Sequence, residues 1–154
     1  MPIDDFELMH GAVITKICRN DRPIALTLIE SRDKHRAAYW LNDLVLYIKY
    51  CTTPRKSRGG KTSWRFTFQP EHIADLVDYS EQTEVYLALV CGHHKLNERM
   101  EICLLYPDEV TQCLDFSLMD TQWIAVEEEP RKRLHAFGPL NNREDSKLII
   151  ERNR

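Results

Sequence analysis

The sequence lacks any apolar run long enough to cross a membrane. Its longest hydrophobic segments, TEVYLALVCG and the residues near Leu44, are much shorter than the roughly 20 residues of a transmembrane helix. The N-terminal residues MPIDDFELMH contain acids and no basic run, so we expect no secretory signal peptide. We therefore predict a cytoplasmic protein without a membrane partner.

Paired cysteine spacings are also missing. The chain has five cysteines, an odd number, and no CxxC motif. A disulfide framework is therefore not predicted, and we expect reduced thiols that are mostly buried as small hydrophobic side chains. Cys91, His93, His94 and Cys103 are zinc-type ligands, but their spacing fits no common zinc motif, so core cysteines beside a solvated histidine pair are favoured.

The length and composition fit one folded domain. The chain has 154 residues, of which 43% are hydrophobic and 29% are charged. A domain of this size buries about 68–70% of its unfolded surface and needs neither a disulfide nor a metal to fold.

Periodicity predicts a mixture of helices and strands. A helix is expected at residues 4–18, where Asp4 and Glu7 have capping-box spacing, with a strand starting near Gly11 as the alternative. Further helices are expected after Gln69 and over residues 107–114. Alternation predicts strands at residues 24–30, 37–41, 44–50, 64–68, 84–91, 100–106, 122–126 and 133–137.

The apolar pattern also assigns faces to two strands. Trp64, Phe66 and Phe68 are expected to point inward, with Arg65 and Thr67 outward. Residues 85–91 are apolar on both faces, which indicates a strand covered on both sides. Helices and strands mix without regular βα alternation. We therefore predict a single α+β domain over residues 1–154, with a central, mostly antiparallel or mixed sheet and flanking helices.

The order helix, three-strand meander, helix, strand over residues 4–91 resembles the core of the PD-(D/E)XK nuclease fold, with an extension at about 100–154. In that family a strand acid and an acid-x-Lys motif bind a divalent metal that activates water. The resemblance implies Mg²⁺ or Mn²⁺, catalytic Lys49, Glu30 and Glu7, and metal ligands Glu30 and Asp43. Tyr47 stands where the family has the acid before Lys49.

The most distinctive stretch is basic. Residues 44–70 contain Lys49 and five further cations but no acid, namely Arg55, Lys56, Arg58, Lys61 and Arg65. The chain has 21 Lys and Arg in all, so the remaining residues hold 15 basic side chains against 24 acidic ones. This contrast fits contact between the last five cations and a nucleic-acid backbone, and a solvated hairpin tip is an equally open alternative.

Two other patterns in the sequence give weaker indications of function. GGKTS ends the basic loop, but it leads into a strand and lacks the first glycine of a P-loop, so nucleotide hydrolysis is not predicted. Glu127, Glu128 and Glu129 precede a basic block, a pattern that suggests a solvated hairpin or an acidic patch for a protein partner. Two functions remain open: a nucleic-acid-processing domain with a nuclease-like core, or a catalytically inactive accessory module on the same fold.

Overall fold

The computed structural model describes residues 1–19, 22–29, 36–95, 98–129 and 133–154, and this part contains three helices and ten strands. The helices are α1 (Asp5–Cys18), α2 (Pro70–Gln82) and α3 (Pro107–Cys113). The strands are β1 (Leu26–Ile29), β2 (Arg36–Leu41), β3 (Leu44–Cys51), β4 (Arg55–Lys56), β5 (Thr62–Phe68), β6 (Val85–Cys91), β7 (Glu101–Leu105), β8 (Gln122–Glu128), β9 (Leu134–Phe137) and β10 (Leu148–Ile150).

The first sheet has the strand order β1-β2-β3-β6-β7. Strands β1, β2 and β3 form the predicted antiparallel meander, and Asn42 adopts a φ of 55° in the turn between β2 and β3. Strand β6 pairs in parallel with β3, because the chain returns through α2 before entering it. The predicted strand over residues 85–91 is confirmed as covered on both sides, and it lies beside β3.

The second sheet has the order β10-β9-β8-β5-β4 and is antiparallel throughout. Strand β5 pairs along its whole length with β8, so that Arg65 faces Ala125 across the ladder. The sequence predicts one central sheet, and the division of the strands into two sheets is a correction. Alternation identifies the two faces of a strand, but it does not identify the partner with which that strand pairs.

Two hydrophobic clusters show how the layers are arranged. Helix α1 covers one face of the first sheet, where Met9 and Val13 pack against Leu46 and Ile48. The opposite face of that sheet packs against the second sheet, α2 and α3 around Trp64, Phe66, Phe68, Ile73 and Leu76. The predicted α+β class is confirmed, and so is the inward face of β5.

The N-terminal cap of α1 and the free state of the cysteines are as predicted. The Glu7 carboxylate accepts a hydrogen bond from the backbone N–H of Asp4 at 2.8 Å, which completes the predicted cap. All five cysteines are free thiols, three of them buried, while Cys18 is exposed. None of the helices in the described ranges has the length and apolar character needed to span a bilayer.

Candidate nucleic-acid interface

The basic stretch forms a short hairpin. Arg55 pairs with Ser63 and Lys56 with Thr62, and the turn between them closes with Ser57 N–H donating to the Lys61 carbonyl at 2.9 Å. Gly60 has a φ of 77°, a conformation in which glycine is not strained. No strand is predicted from sequence between residues 50 and 64, so strand β4 is a correction. Two strand residues are too few to produce an alternation signal.

Three cations project from this hairpin into solvent. Arg55, Lys56 and Arg58 are all exposed, and none of them forms an ion pair with a described residue. The backbone ladder fixes the positions of Arg55 and Lys56, and Arg58 lies in the turn that joins the two strands. The long side chains of all three remain able to adapt to a ligand.

Lys61 differs from the other cations of the hairpin. Its ammonium lies 3.1 Å from the Glu129 carboxylate and is about one-third exposed. Part of its charge is therefore used within the protein. Lys61 is predicted from sequence as a nucleic-acid contact, and its ion pair with Glu129 distinguishes it from the exposed cations of the hairpin.

Arg65 lies on the solvent face of β5 beside Trp123 of β8. Its guanidinium carbon stands 4.4 Å from the centre of the Trp123 ring. Trp123 in turn meets the edge of Phe137, with the ring centres 5.9 Å apart. Stacking on an indole holds the guanidinium plane in place while its N–H groups stay available at the edge.

Lys49 is buried, with 4% of its surface exposed. Its ammonium lies 3.0 Å from Nδ1 of His72 on α2 and 4.8 Å from the centre of the Phe68 ring. The same Nδ1 accepts the backbone N–H of Gln69 at 3.1 Å. A ring nitrogen that accepts hydrogen bonds carries no proton, so the His72 imidazole is neutral and Lys49 is the donor.

Tyr47 occupies the position before Lys49 on the same face of β3. Its hydroxyl donates to the Asp75 carboxylate at 3.2 Å, and Arg36 Nε lies 3.3 Å from the same oxygen. Burial, reinforced by Asp75, raises the pKa of Tyr47 well above its usual value of 10. Tyr47 therefore remains a neutral hydrogen-bond donor, and a neutral phenol does not replace a carboxylate as a ligand of Mg²⁺.

The structure does not bring the predicted metal ligands together. Asp43 lies in the turn before β3, six strand residues from Lys49, which corresponds to roughly 20 Å. Glu7 caps α1, and α1 covers the face of the first sheet opposite to Lys49. Glu30 lies outside the described residues.

Within the described ranges, no three His, Cys, Asp or Glu side chains lie close enough to hold a metal ion. The described residues therefore do not form the Mg²⁺ or Mn²⁺ site that the family resemblance implies. Lys49 instead links β3 to the first turn of α2 through its hydrogen bond to His72.

The zinc-type residues have other roles. Cys91 and Cys103 are fully buried, and burial raises the pKa of both thiols above the usual value of 9. His93 Nδ1 lies 2.8 Å from the Glu98 carboxylate, and the His93 ring meets the edge of Trp64. These cysteines are core residues, as the sequence analysis favours.

The acidic block is engaged within the protein. Glu127 pairs with Arg143 at 2.7 Å, Glu128 with Arg152 at 2.8 Å, and Glu129 with Lys61. Three carboxylates bound in this way do not form an open acidic patch. The idea of a protein partner that docks on these glutamates is therefore not supported.

Several partners at the site were missed from sequence. His72 and Asp75 are three residues apart on α2, beside the buried Ile73 and Leu76, and polar side chains next to a buried stripe are a detectable signal. Trp123 could not be linked to Arg65 in this way, because their proximity follows from the pairing of β5 with β8.

Comparison with family models, curated proteins and solved structures found no match for this chain. The resemblance to the PD-(D/E)XK fold therefore rests on element order and on Lys49, and it stays a prediction.

Proposed function

We propose that this protein binds the sugar-phosphate backbone of nucleic acids through the hairpin surface, defined as Arg55, Lys56, Arg58 and Arg65. We further propose that it acts as an accessory module that does not itself hydrolyse the strand. The three exposed hairpin cations without a described ion-pair partner are the observation that supports this function most strongly.

Charge distribution gives independent support. Outside residues 44–70 the chain has an excess of nine acidic side chains, so a general attraction for polyanions is not expected. The acids at the end of β8 beside the hairpin, Glu127, Glu128 and Glu129, are paired with Arg143, Arg152 and Lys61. The hairpin surface is therefore a local positive region on a negative molecule, as expected of a specific anion contact.

Arg65 contributes a positive charge with a fixed orientation. A guanidinium stacked on Trp123 keeps a fixed plane, and its free edge can donate two parallel hydrogen bonds to one phosphate. The flexible side chains of Arg55, Lys56 and Arg58 would follow the backbone beyond this point. Such contacts bind the backbone without reading the base sequence.

The element order supports a nuclease-like scaffold for this surface. Helix α1, the meander β1–β2–β3 and the return through α2 to a parallel β6 occur in one sheet. The alternative function is a Mg²⁺- or Mn²⁺-dependent nuclease that uses Lys49. The hydrogen bond of Tyr47 to Asp75, in the place of a metal-binding acid, favours the inactive module.

Binding would be tested by fluorescence anisotropy with labelled single- and double-stranded DNA and RNA of several sequences. The triple variant Arg55→Ala/Lys56→Ala/Arg58→Ala should lose affinity by at least about tenfold, and by a similar factor for every sequence, because charged hydrogen bonds to phosphate are removed. A sequence-dependent loss would indicate base recognition instead.

The matched control is Lys16→Ala/Arg19→Ala/Arg22→Ala. It removes the same charge from exposed positions in or just after α1, on the other side of the first sheet. We expect its affinity to stay within about twofold of wild type, because distant surface charges are screened at ~0.1 M salt. Equal losses in the two triple variants would contradict a localised interface.

Incubating the same nucleic acids with Mg²⁺ or Mn²⁺ separates the two functions. We expect intact strands from wild-type protein. Cleavage that disappears in Lys49→Gln, while binding persists, would establish the nuclease alternative.

A further inference from the structure

A cleft with polar and apolar walls adjoins the hairpin surface at the carboxyl end of β3. It is open to solvent, has a volume of about 330 Å³ and is lined in part by Lys49, Thr52, Thr53, Arg65 and Thr67. The chain leaves β3 at Cys51, runs through Thr52 and Thr53, and reaches β4. The cleft therefore lies between the segment that joins β3 to β4 and strand β5.

The edge of β5 is open at the cleft. In the described part of the chain, β4 pairs with Thr62 and Ser63, and the edge of β5 beyond Ser63 has no strand beside it. Successive residues of a strand direct their N–H groups to opposite edges. At least one backbone N–H among Arg65, Phe66 and Thr67 is therefore directed to this open edge.

The cleft has a buried inner end and an exposed rim. Lys49 and Phe66 are 4% and 2% exposed, whereas Thr53 and Thr67 are exposed to solvent. His72 holds the Lys49 ammonium at the inner end. The described lining includes the Lys49 ammonium, which also binds His72, the Arg65 guanidinium, threonine hydroxyls and a backbone N–H group. Tyr50, Cys51 and Phe66 complete it, and it contains no carboxylate. The cationic and N–H groups are donors that suit a phosphate, and the hydroxyls can donate as well.

We propose that this cleft binds the terminal phosphate of a nucleic-acid strand whose body lies along the hairpin surface. A terminal monoester has three free oxygens and only one substituent, so it can enter the cleft towards Lys49. An internal phosphodiester is joined to sugars on both sides, and a duplex is far wider than a cleft of this size. This inference rests on the proposed function, because the hairpin surface supplies the affinity for the strand body.

The test compares three labelled single strands of one sequence, with a 5′-phosphate, a 3′-phosphate or hydroxyl groups at both ends. We expect one of the two phosphorylated strands to bind about tenfold more tightly than the hydroxyl strand. The phosphorylated strand that binds more tightly identifies whether the 5′ end or the 3′ end enters the cleft.

The variant Thr53→Val/Thr67→Val should remove this preference and leave affinity for the hydroxyl strand unchanged. Both positions are exposed, so the variant is expected to fold. Thr27→Val, an exposed strand threonine on the first sheet, is the control and should keep the preference. The triple hairpin variant should weaken all three strands by the same factor.

The outcomes separate the two proposals. If wild-type protein binds the three strands equally, or if Thr53→Val/Thr67→Val keeps the full preference, the cleft inference is overturned and backbone binding stands. If wild-type protein binds none of the strands in low salt, both proposals are overturned.

Discussion

At the scale of the residue, the aromatic side chains of β5 determine which face of the second sheet is inside. Trp64, Phe66 and Phe68 are at most 2% exposed, and the indole N–H of Trp64 donates to the Gly92 carbonyl at 2.8 Å. Their alternation with exposed Arg65 and Thr67 places the basic side chain on the outer face. The hydrophobic pattern of one strand thus also positions part of the hairpin surface.

Replacing Phe66 with Ala should cost about 3–5 kcal/mol of unfolding free energy, because a buried ring is replaced by a cavity. Urea denaturation followed by circular dichroism measures this loss. Thr67→Ala, at the neighbouring exposed position, should change stability by less than about 1 kcal/mol. Similar losses at the two positions would mean that the inward face is assigned incorrectly.

His10 is a second residue with a measurable signature. It is buried in α1 between the rings of Phe6 and Tyr50, and its Nε2 has no hydrogen-bond partner in the described part of the chain. Burial lowers its pKa below the usual 6.5. The unfolded chain therefore binds a proton at this position near pH 6.5, whereas the folded protein takes it up only at lower pH. Above about pH 6.5 His10 therefore does not lower the free energy of unfolding. As the pH decreases from there through the lowered pKa, the free energy of unfolding falls.

The variant His10→Phe should reduce this acid sensitivity. Urea melts between pH 8 and pH 5 should show a smaller decrease for the variant than for wild type. At pH 8 the substitution should cost less than about 1.5 kcal/mol, because it preserves an aromatic shape. His135, whose pKa is also lowered by burial, leaves some pH dependence in both proteins. An unchanged pH profile in His10→Phe would contradict the account of His10.

At the scale of the element, the C-terminal residues connect the two sheets. The Arg152 guanidinium binds Glu101 of β7 in the first sheet and Glu128 of β8 in the second. The three side chains are between 12% and 16% exposed. Arg154 forms a similar contact with Glu109 of α3 and stacks on Tyr106. This end of the chain therefore stabilises the relative position of the sheets.

Arg152→Met should lower the unfolding free energy by about 3 kcal/mol, because two poorly solvated carboxylates lose their shared cation. Arg133→Met is the matched control. Arg133 pairs with Glu151 at the surface, where both side chains are about 60% exposed, and its loss should cost less than about 1 kcal/mol. If chemical denaturation gives equal values for the two variants, Arg152 does not hold the sheets together.

The elements also show what the sequence can predict. Helix α1, the meander and β6 follow from local capping and periodicity, and their observed bounds differ little from the predicted ones. Strand β10 lies in a tail that is otherwise polar, and three residues give too little pattern to identify it. The pairing of β5 with β8 depends on contacts between distant segments, which local periodicity does not contain.

The candidate site was predictable to a similar degree. The cations Arg55, Lys56 and Arg58 were identified from composition alone, because charge density needs no knowledge of partners. The pairing of Lys61 with Glu129 and the burial of Lys49 against His72 require the tertiary structure. The prediction therefore located the basic surface but not the subset of cations that is open to a ligand.

At the scale of the whole molecule, a net charge of -3 opposes long-range attraction of a polyanion. Binding would depend on short-range contacts at the hairpin surface, where counterions are released from the nucleic acid. Such binding is expected to weaken steeply as salt is added, and its salt dependence counts the phosphate contacts. This property distinguishes a nucleic-acid interface from a solvated hairpin tip.

The most direct measurement is therefore the salt dependence of the dissociation constant of wild-type protein for a duplex. Four phosphate contacts predict that log K falls with log salt with a slope of about -3.6. The Arg55→Ala/Lys56→Ala/Arg58→Ala variant should bring the slope to about -0.9, because only the Arg65 contact remains. No detectable binding at low salt, or the same slope for both proteins, would contradict the proposed interface.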